Sequence, residues 1–293
     1  MVCEEISNMK HQGSEFEVQG HRGARGLAPE NTLVGFEIAL DLGVSSIETD
    51  VHLTRDDVAV LHHDACIAAV EARPLVRSLT LDQVRGYRIE GPAVEATPLA
   101  KRFAAARGLD ACGIPTLAEL FAFVAEYSAD AGKTGIQQER ARRLVFDVEL
   151  KRVPFAPETI GDGFTGEASA TLERQVIAAI RAAGVIERSR VRSFDHRCVL
   201  AVKQLAPALA TGLLIYNTLP VDIGTMLEQA RADFYCPDYQ FLDAAAVRQV
   251  IAAGKRVIPY TVNEPAAWER LIAWGVHGIT TDVPDRLLEW LER

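Results

Sequence analysis

The stretch GHRGARGLAPENT, Gly20–Thr32, decides the fold. It joins a short β-type run, Phe16–Gly20, to a run with Leu33, Phe36 and Leu40 at helical spacing, stopped by Gly43. That is strand, loop, helix, with Asn31 at the position expected of the N-cap. A doubly wound sheet that cradles a dinucleotide uses the same junction but needs G-x-G-x-x-G spacing there. Gly20, Gly23 and Gly26 do not have that spacing. What the loop offers instead is side chains, His21 and Arg22 foremost.

Working outward, SSIETDVHLT (Ser45–Thr54) and VAVLHHD (Val58–Asp64) read as two further strands. From 65 to 114 the pattern weakens, which predicts an insertion rather than a second domain. IPTLAEL restores a helix, with Thr116 and Glu119 as a capping box. RRLVFDVELK (Arg142–Lys151) is a strand, and a helix with Val176, Ile177 and Ile180 ends at Gly184. RVRSF, LATGLLIY, ADFYCPDY, RVIPYTV and HGITTD then read as strands that each precede a helix, the first of these helices capped by Asp195. About eight strand-helix units predict a TIM-type (β/α)8 barrel with an insertion after the second strand. The expected organisation is a polar leader over 1–15 and one barrel domain over 16–293, interrupted at about 65–114.

Composition narrows the class. The chain has 31 Lys and Arg against 40 Asp and Glu, a net charge of -9, with its basic residues scattered. Nucleic acid is therefore not an expected partner. No apolar run reaches the ~18 residues that a membrane span needs, so no stable membrane insertion is expected. The start, MVCEEISNMK, carries two glutamates and no apolar core of a signal peptide. Five cysteines (Cys3, Cys66, Cys112, Cys198, Cys236) have no paired CxxC spacing and fit reduced thiols, so a cytoplasmic protein is expected.

In a barrel the chemistry sits at the C-terminal strand ends. Strand alternation puts Glu48 and Asp50 on one face, and likewise Asp147, Glu149 and Lys151. Their apolar neighbours belong against the helices, so the charged set faces the axis. Carboxylates buried there need positive charge. A hard divalent ion, Mg²⁺ or Ca²⁺, suits oxygen-only ligands, while a salt-bridge cluster with Arg22 and Lys151 is the competing reading. His21 and His63 are the acid-base candidates, with His62 as an alternative to His63. His52 is expected to lie beyond its strand end in solvent, and His11, His196 and His277 at the surface. Asp282 either orients a site residue or caps the last helix.

Taken together, HRGARGLAPENT, GVSSIETDVHLTRD, VLHHD, IPTLAEL, FDVELK, VIPYTVNEP and GVHGITTDVPD resemble the glycerophosphodiester phosphodiesterase family, over residues from about 17 to the C-terminus. The resemblance implies a barrel that hydrolyses small-molecule glycerophosphodiesters to an alcohol and sn-glycerol 3-phosphate with a divalent metal. It implies acid-base roles for His21 and His63, metal ligation by Glu48, Asp50 and Glu149, and phosphate contacts from Arg22 and Lys151. His63 matches because it directly precedes Asp64. Phe194 and Tyr260 are candidates for the substrate wall; Tyr260 stands where the family usually has tryptophan. Two alternatives are a lysophospholipase D or phosphatidylinositol-type phospholipase C on the same barrel, and a non-catalytic barrel that binds phosphate metabolites.

Overall fold

The computed structural model describes residues 16–68 and 73–293; the leader 1–15, with Cys3 and His11, lies outside them. Its parallel strands are β1 (Glu17–Gly20), β2 (Ser46–Leu53), β4 (Val145–Leu150), β5 (Ser189–Ser193), β6 (Ala210–Ile215), β7 (Phe234–Pro237), β8 (Arg256–Val257) and β9 (Gly278–Thr281). They pair in the order β8-β7-β6-β5-β4-β2-β1-β9. Backbone bonds from His277 N to Val257 O (2.9 Å) and from Thr280 N to Pro259 O (3.0 Å) bring β8 and β9 together. The result is a barrel of eight parallel strands with helices outside, as the strand-helix count predicts. β8 is only two residues long because Pro237 on β7 has no N–H to return to Ile258 O, although Ile258 N and Tyr260 N still bond Tyr235 O and Pro237 O.

The short β3 (Ala59–Leu61) is not part of the barrel wall and runs antiparallel to the end of β2. The excursion that follows holds two helices, α2 (Leu81–Val84) and α3 (Pro98–Ala105). Val60, Ile67, Val76, Val84 and Ile114 give it a small core of its own. α3 instead joins the main core through Leu99, Ala100 and Phe103, whose ring meets Phe123 edge-on at 5.1 Å.

Around the barrel run α1 (Leu33–Leu42), α4 (Leu117–Tyr127), α5 (Gly135–Arg143), α6 (Thr171–Ala182), α7 (His196–Leu205), α8 (Ile223–Gln229), α9 (Ala244–Ala252), α10 (Pro265–Ala273) and α11 (Pro284–Leu291). Local chemistry fixes their starts: the Thr116–Glu119 capping box opens α4, and Asp195 caps α7 by accepting from Arg197 N. One expected cap is corrected. α1 is capped by Thr32, whose hydroxyl accepts from Gly35 N at 3.2 Å, not by Asn31. Asn31 sits one residue earlier at φ 54, a left-handed conformation that asparagine tolerates, and its side chain turns inward.

Strand register sets what meets in the interior. Between β2 and β4, Glu48 pairs with Asp147 and Asp50 with Glu149; between β4 and β5, Asp147 pairs with Arg190 and Glu149 with Arg192. A barrel interior is ordinarily filled by layers of aliphatic side chains. Here its β1–β5 side is ionic. Arg190 Nε binds Asp147 at 2.7 Å and its guanidinium also pairs with Glu17. Gln19 Nε2 donates to Asp147 at 2.8 Å, and Arg192 lies 3.3 Å from Asp147. The alternate residues Ile47, Val51, Phe146, Val148, Leu150 and Val191 are fully buried against the helices.

Candidate active site

At the C-terminal ends of β1, β2 and β4, three carboxylates converge. Glu48, Asp50 and Glu149 are buried, and one oxygen from each lies within 4.8 Å of the others. Burial first, and then the neighbouring Asp50 charge, push the Glu48 carboxyl up to about 8. Asp50 is the ionised member of that pair: burial opposes its charge, but Lys151, Arg22 and His63 hold it well below the ordinary carboxylate range. Glu48 Oε1 is buried without a hydrogen bond; the nearest guanidinium nitrogen, Arg192 Nη2, is 3.4 Å away. A buried carboxylate cluster that resists full ionisation and keeps a free oxygen is short of positive charge. It fits a divalent cation bound by oxygen atoms alone.

Two cations already border the cluster. Arg22 Nε is 3.2 Å from Asp50, and its Nη1 donates to Glu30 at 2.8 Å. Lys151 Nζ is 2.7 Å from Glu149 and 3.4 Å from Asp50. Burial works against the charge on both side chains, and the adjoining carboxylates outweigh it. The salt bridges anticipated as the competing reading are therefore present, and they leave oxygens of the cluster over. Arg22 itself takes φ 51, which aims its own N–H at Glu48 Oε2 (3.0 Å).

Each candidate histidine is held by an aspartate. His21 Nδ1 meets Asp282 Oδ1 at 2.6 Å, while its Nε2 is 3.8 Å from Glu48. Asp282 is fixed in turn by Asn263 Nδ2 (2.9 Å) and titrates at about 2, because the bond to His21 overcomes burial. An ionised carboxylate only accepts, so Nδ1 carries the ring proton and Nε2 is left with its lone pair. Burial, the largest effect, lowers the His21 pKa, with Arg22 adding to it and the Asp282 hydrogen bond opposing it. Of the two readings of Asp282, orientation is the one observed: α11 has no side-chain cap. His63 Nδ1 likewise meets Asp64 Oδ1 at 2.7 Å, and its ring is a third exposed toward the barrel mouth. His62 turns away, its Nε2 on Cys66 O at 3.2 Å.

Three expectations about histidines are corrected. His52 is not in solvent: it is 1% exposed with Nε2 on His63 O (3.1 Å), and burial takes its pKa down to about 3. The chain after β2 folds back as β3, which covers it. His196 and His277 are half-buried, bound to Leu214 O and Val257 N respectively. Phe194 and Tyr260 stand edge-on at the mouth, ring centroids 6.1 Å apart, with the Tyr260 hydroxyl donating to Ile215 O at 2.9 Å. A cavity of 790 Å³ between the 65–114 excursion and the first loop, lined by Pro29, Tyr87, Arg88 and Cys112, contains none of these residues.

Sequence reasoning missed three participants. Asn31 Nδ2 donates to Asp50 at 2.9 Å and its Oδ1 accepts from Thr49 at 2.7 Å, so the first loop grips the second strand. Glu30 anchors Arg22, and Arg192 approaches Glu48 from β5. The parity that exposes Glu48 and Asp50 would also have found Arg190 and Arg192 in SRVRS; Asn31 had no such signal.

The profile of the "Glycerophosphoryl diester phosphodiesterase family" matches residues 21–286. A "Glycerophosphodiester phosphodiesterase" of Caldanaerobacter subterraneus subsp. tengcongensis is 27% identical over 94% of this chain and 98% of its own. One from Bacillus altitudinis is 26% identical over 93% and 97%. Among solved structures, an Oleispira antarctica phosphodiesterase in complex with the product sn-glycerol-3-phosphate superposes with a TM-score of 0.71. That structure covers 94% of this chain and 97% of its own at 20% identity, and it supports the fold. With a profile that runs from His21 at the end of β1 to Arg286 in the last helix, the chain belongs to the glycerophosphoryl diester phosphodiesterase family.

Proposed function

We propose that this chain hydrolyses glycerophosphodiesters to an alcohol and sn-glycerol 3-phosphate with a divalent cation, Mg²⁺ or Ca²⁺, held by Glu48, Asp50 and Glu149. The observation that carries the reading is the pair of aspartate-held imidazoles, His21 and His63, on a pocket of three carboxylates and two cations. A non-catalytic phosphate binder has no use for two oriented proton-transfer groups. Residues 16–293 act as one catalytic barrel in this reading. The described cysteines are all free thiols, which supports a reducing compartment such as the cytoplasm.

When bound, the ion supplies positive charge to the phosphoryl group as negative charge builds on it. The rest falls to the chain's own side chains. Arg22 and Lys151 balance the remaining phosphoryl charge. His21, neutral because burial disfavours its protonation, takes the proton of the attacking hydroxyl at Nε2, whether that hydroxyl is water's or the glycerol 2-hydroxyl. His63 donates a proton to the departing alkoxide. Asp282 and Asp64 keep each ring in the tautomer its role needs. Phe194 and Tyr260 wall the side on which the alcohol leaves.

The test is turnover of glycerophosphocholine with coupled detection of glycerol 3-phosphate. Chelation followed by dialysis is expected to abolish it, with Mg²⁺ or Ca²⁺ restoring it. Full activity after chelation would rule out the metal role. His21→Ala and His63→Ala are each expected to lose roughly 10²- to 10⁴-fold in kcat with the fold intact by circular dichroism.

A further inference from the structure

The two imidazoles of the site are held to the barrel in different ways. His21 leans on Asp282, directly after β9, so its partner belongs to a separate part of the wall. His63 leans on Asp64, its neighbour in sequence, at 2.7 Å. Both side chains of that pair are open to solvent, 33% for His63 and 58% for Asp64. Asp64 therefore sets the tautomer of His63 and travels with it; it does not fix where the ring stands. The ladder behind them does not reach that far either. β2 and β3 pair as far as Val51 and Leu61, and one more backbone bond runs from His62 N to Asp50 O at 3.1 Å. His63 lies one residue beyond. Among the described residues its main chain has a single hydrogen bond, and the donor is a side chain: His52 Nε2, 3.1 Å from His63 O.

His52 stands on β2 with the parity of Glu48 and Asp50 and is 1% exposed. A carbonyl oxygen only accepts, so Nε2 carries the ring proton. Nδ1 then faces a buried place and has no hydrogen-bond partner. Most buried polar atoms are paired, and one that is not calls for a reason. An aliphatic side chain would fill the same space and orphan no ring nitrogen. What it would lack is the donor for His63 O.

We propose that His52 is the positioning residue of the acid: its Nε2–H ties the main chain of His63 to the strand that carries Asp50, and so holds the imidazole in register with the carboxylates. The inference rests on the reading above in which His63 protonates the departing alkoxide. It adds to that reading a residue that touches neither substrate nor ion. An acid acts only within hydrogen-bond reach of the leaving oxygen, and a drift of about 1 Å is enough to cost most of its effect. The consequence depends on the leaving group. Choline departs from glycerophosphocholine as a strongly basic alkoxide and needs the proton. Nitrophenol departs from the p-nitrophenyl ester of sn-glycerol 3-phosphate as a phenolate that is stable at neutral pH, and does not. A misplaced acid slows the first ester and spares the second, whereas damage to the fold or to the carboxylates slows both.

The experiment measures kcat/KM of the metal-loaded enzyme on both esters, because this ratio reports the steps up to departure of the alcohol. The variants are His52→Leu, which keeps bulk and removes the donor; His52→Gln, whose amide reaches the position of Nε2; and His63→Ala, the reference for a missing acid. His52→Leu is expected to lose at least about tenfold on glycerophosphocholine and less than about twofold on the nitrophenyl ester, with His52→Gln close to wild type on both. His63→Ala is expected to show the same selectivity with a larger loss. Equal losses by His52→Leu on the two esters, or no loss on either, overturn the proposal alone when His63→Ala still separates them. His52→Gln as impaired as His52→Leu also overturns it. Equal losses by His63→Ala overturn the acid role of His63, and the proposal falls with it. A wild type that turns over neither ester overturns the diesterase reading and everything built on it. Circular dichroism checks each fold; if His52→Leu does not fold, His52→Asn replaces it, since its shorter amide stops before His63 O, and the same outcomes decide.

Discussion

At the scale of single residues, the contact that organises the site is His21–Asp282. Asp282 sets the tautomer of His21 and partly offsets the burial that lowers its pKa. Removing the charge while keeping the shape, as in Asp282→Asn, takes away the effect that raises the His21 pKa. The acid limb of kcat/KM is therefore expected to move to lower pH, and kcat to fall by at least about tenfold because the ring loses its orientation. A variant that lost activity with an unmoved pH profile would show that Asp282 acts on something other than His21. The parity of β1 and β2 made His21, Glu48 and Asp50 legible as strand-end groups from the sequence. Asp282 could be read two ways until the uncapped start of α11 decided between them.

At the scale of elements, the loop between β1 and α1 fastens two strands. Gly23, at φ 87, lets the chain turn back; an added Cβ would come within 2.8 Å of the Gly35 backbone. Asn31 then reaches across to Thr49 and Asp50 on β2. Replacing Asn31 with glycine keeps the left-handed backbone and deletes only the amide. Divalent-cation affinity by calorimetry is expected to fall roughly 10- to 100-fold, as it does when a ligand loses the partner that orients it. This role was hidden from the sequence because helix-cap preference and inward hydrogen bonding favour the same residue types, and Thr32 next door supplied the actual cap. α5 was hidden for another reason: GIQQERARR buries only Ala141, so it lacks the apolar stripe that marks a helix. β2, β4 and β5 were legible because they alternate, and β6 and β7 because they are apolar, β-type runs, whereas β8 is cut short where Pro237 interrupts its ladder.

Over the whole molecule, the unusual feature is a barrel interior that carries charge on its β1–β5 side, with apolar Leu214, Phe234, Cys236 and Ile258 opposite. Buried ions of this kind seldom add stability over apolar packing, and losing one partner is costly. Glu17 shows the consequence for pH. Burial opposes its charge, but Arg190 and Ser46 hold its pKa down to about 2 from an ordinary 4.5. A depressed carboxylate contributes stability above its unfolded pKa and loses it as pH falls through the folded one. The contribution, on the order of 3 kcal/mol, should therefore disappear between about pH 4.5 and 2. In urea unfolding at pH 7, 4 and 3, the wild type is expected to weaken more steeply than Glu17→Gln, and parallel curves would refute it. The strand count and closed barrel were readable from the sequence, but this ionic filling was not, since it depends on the register that sets β4 beside β5. The oriented base also has a consequence in time. His21 follows the first strand and Asp282 the last, 261 residues apart along the chain. A nascent chain thus completes Glu48, Asp50 and Glu149 long before it can orient His21, and its proton-transfer chemistry waits until the last barrel strand has left the ribosome and the barrel has shut.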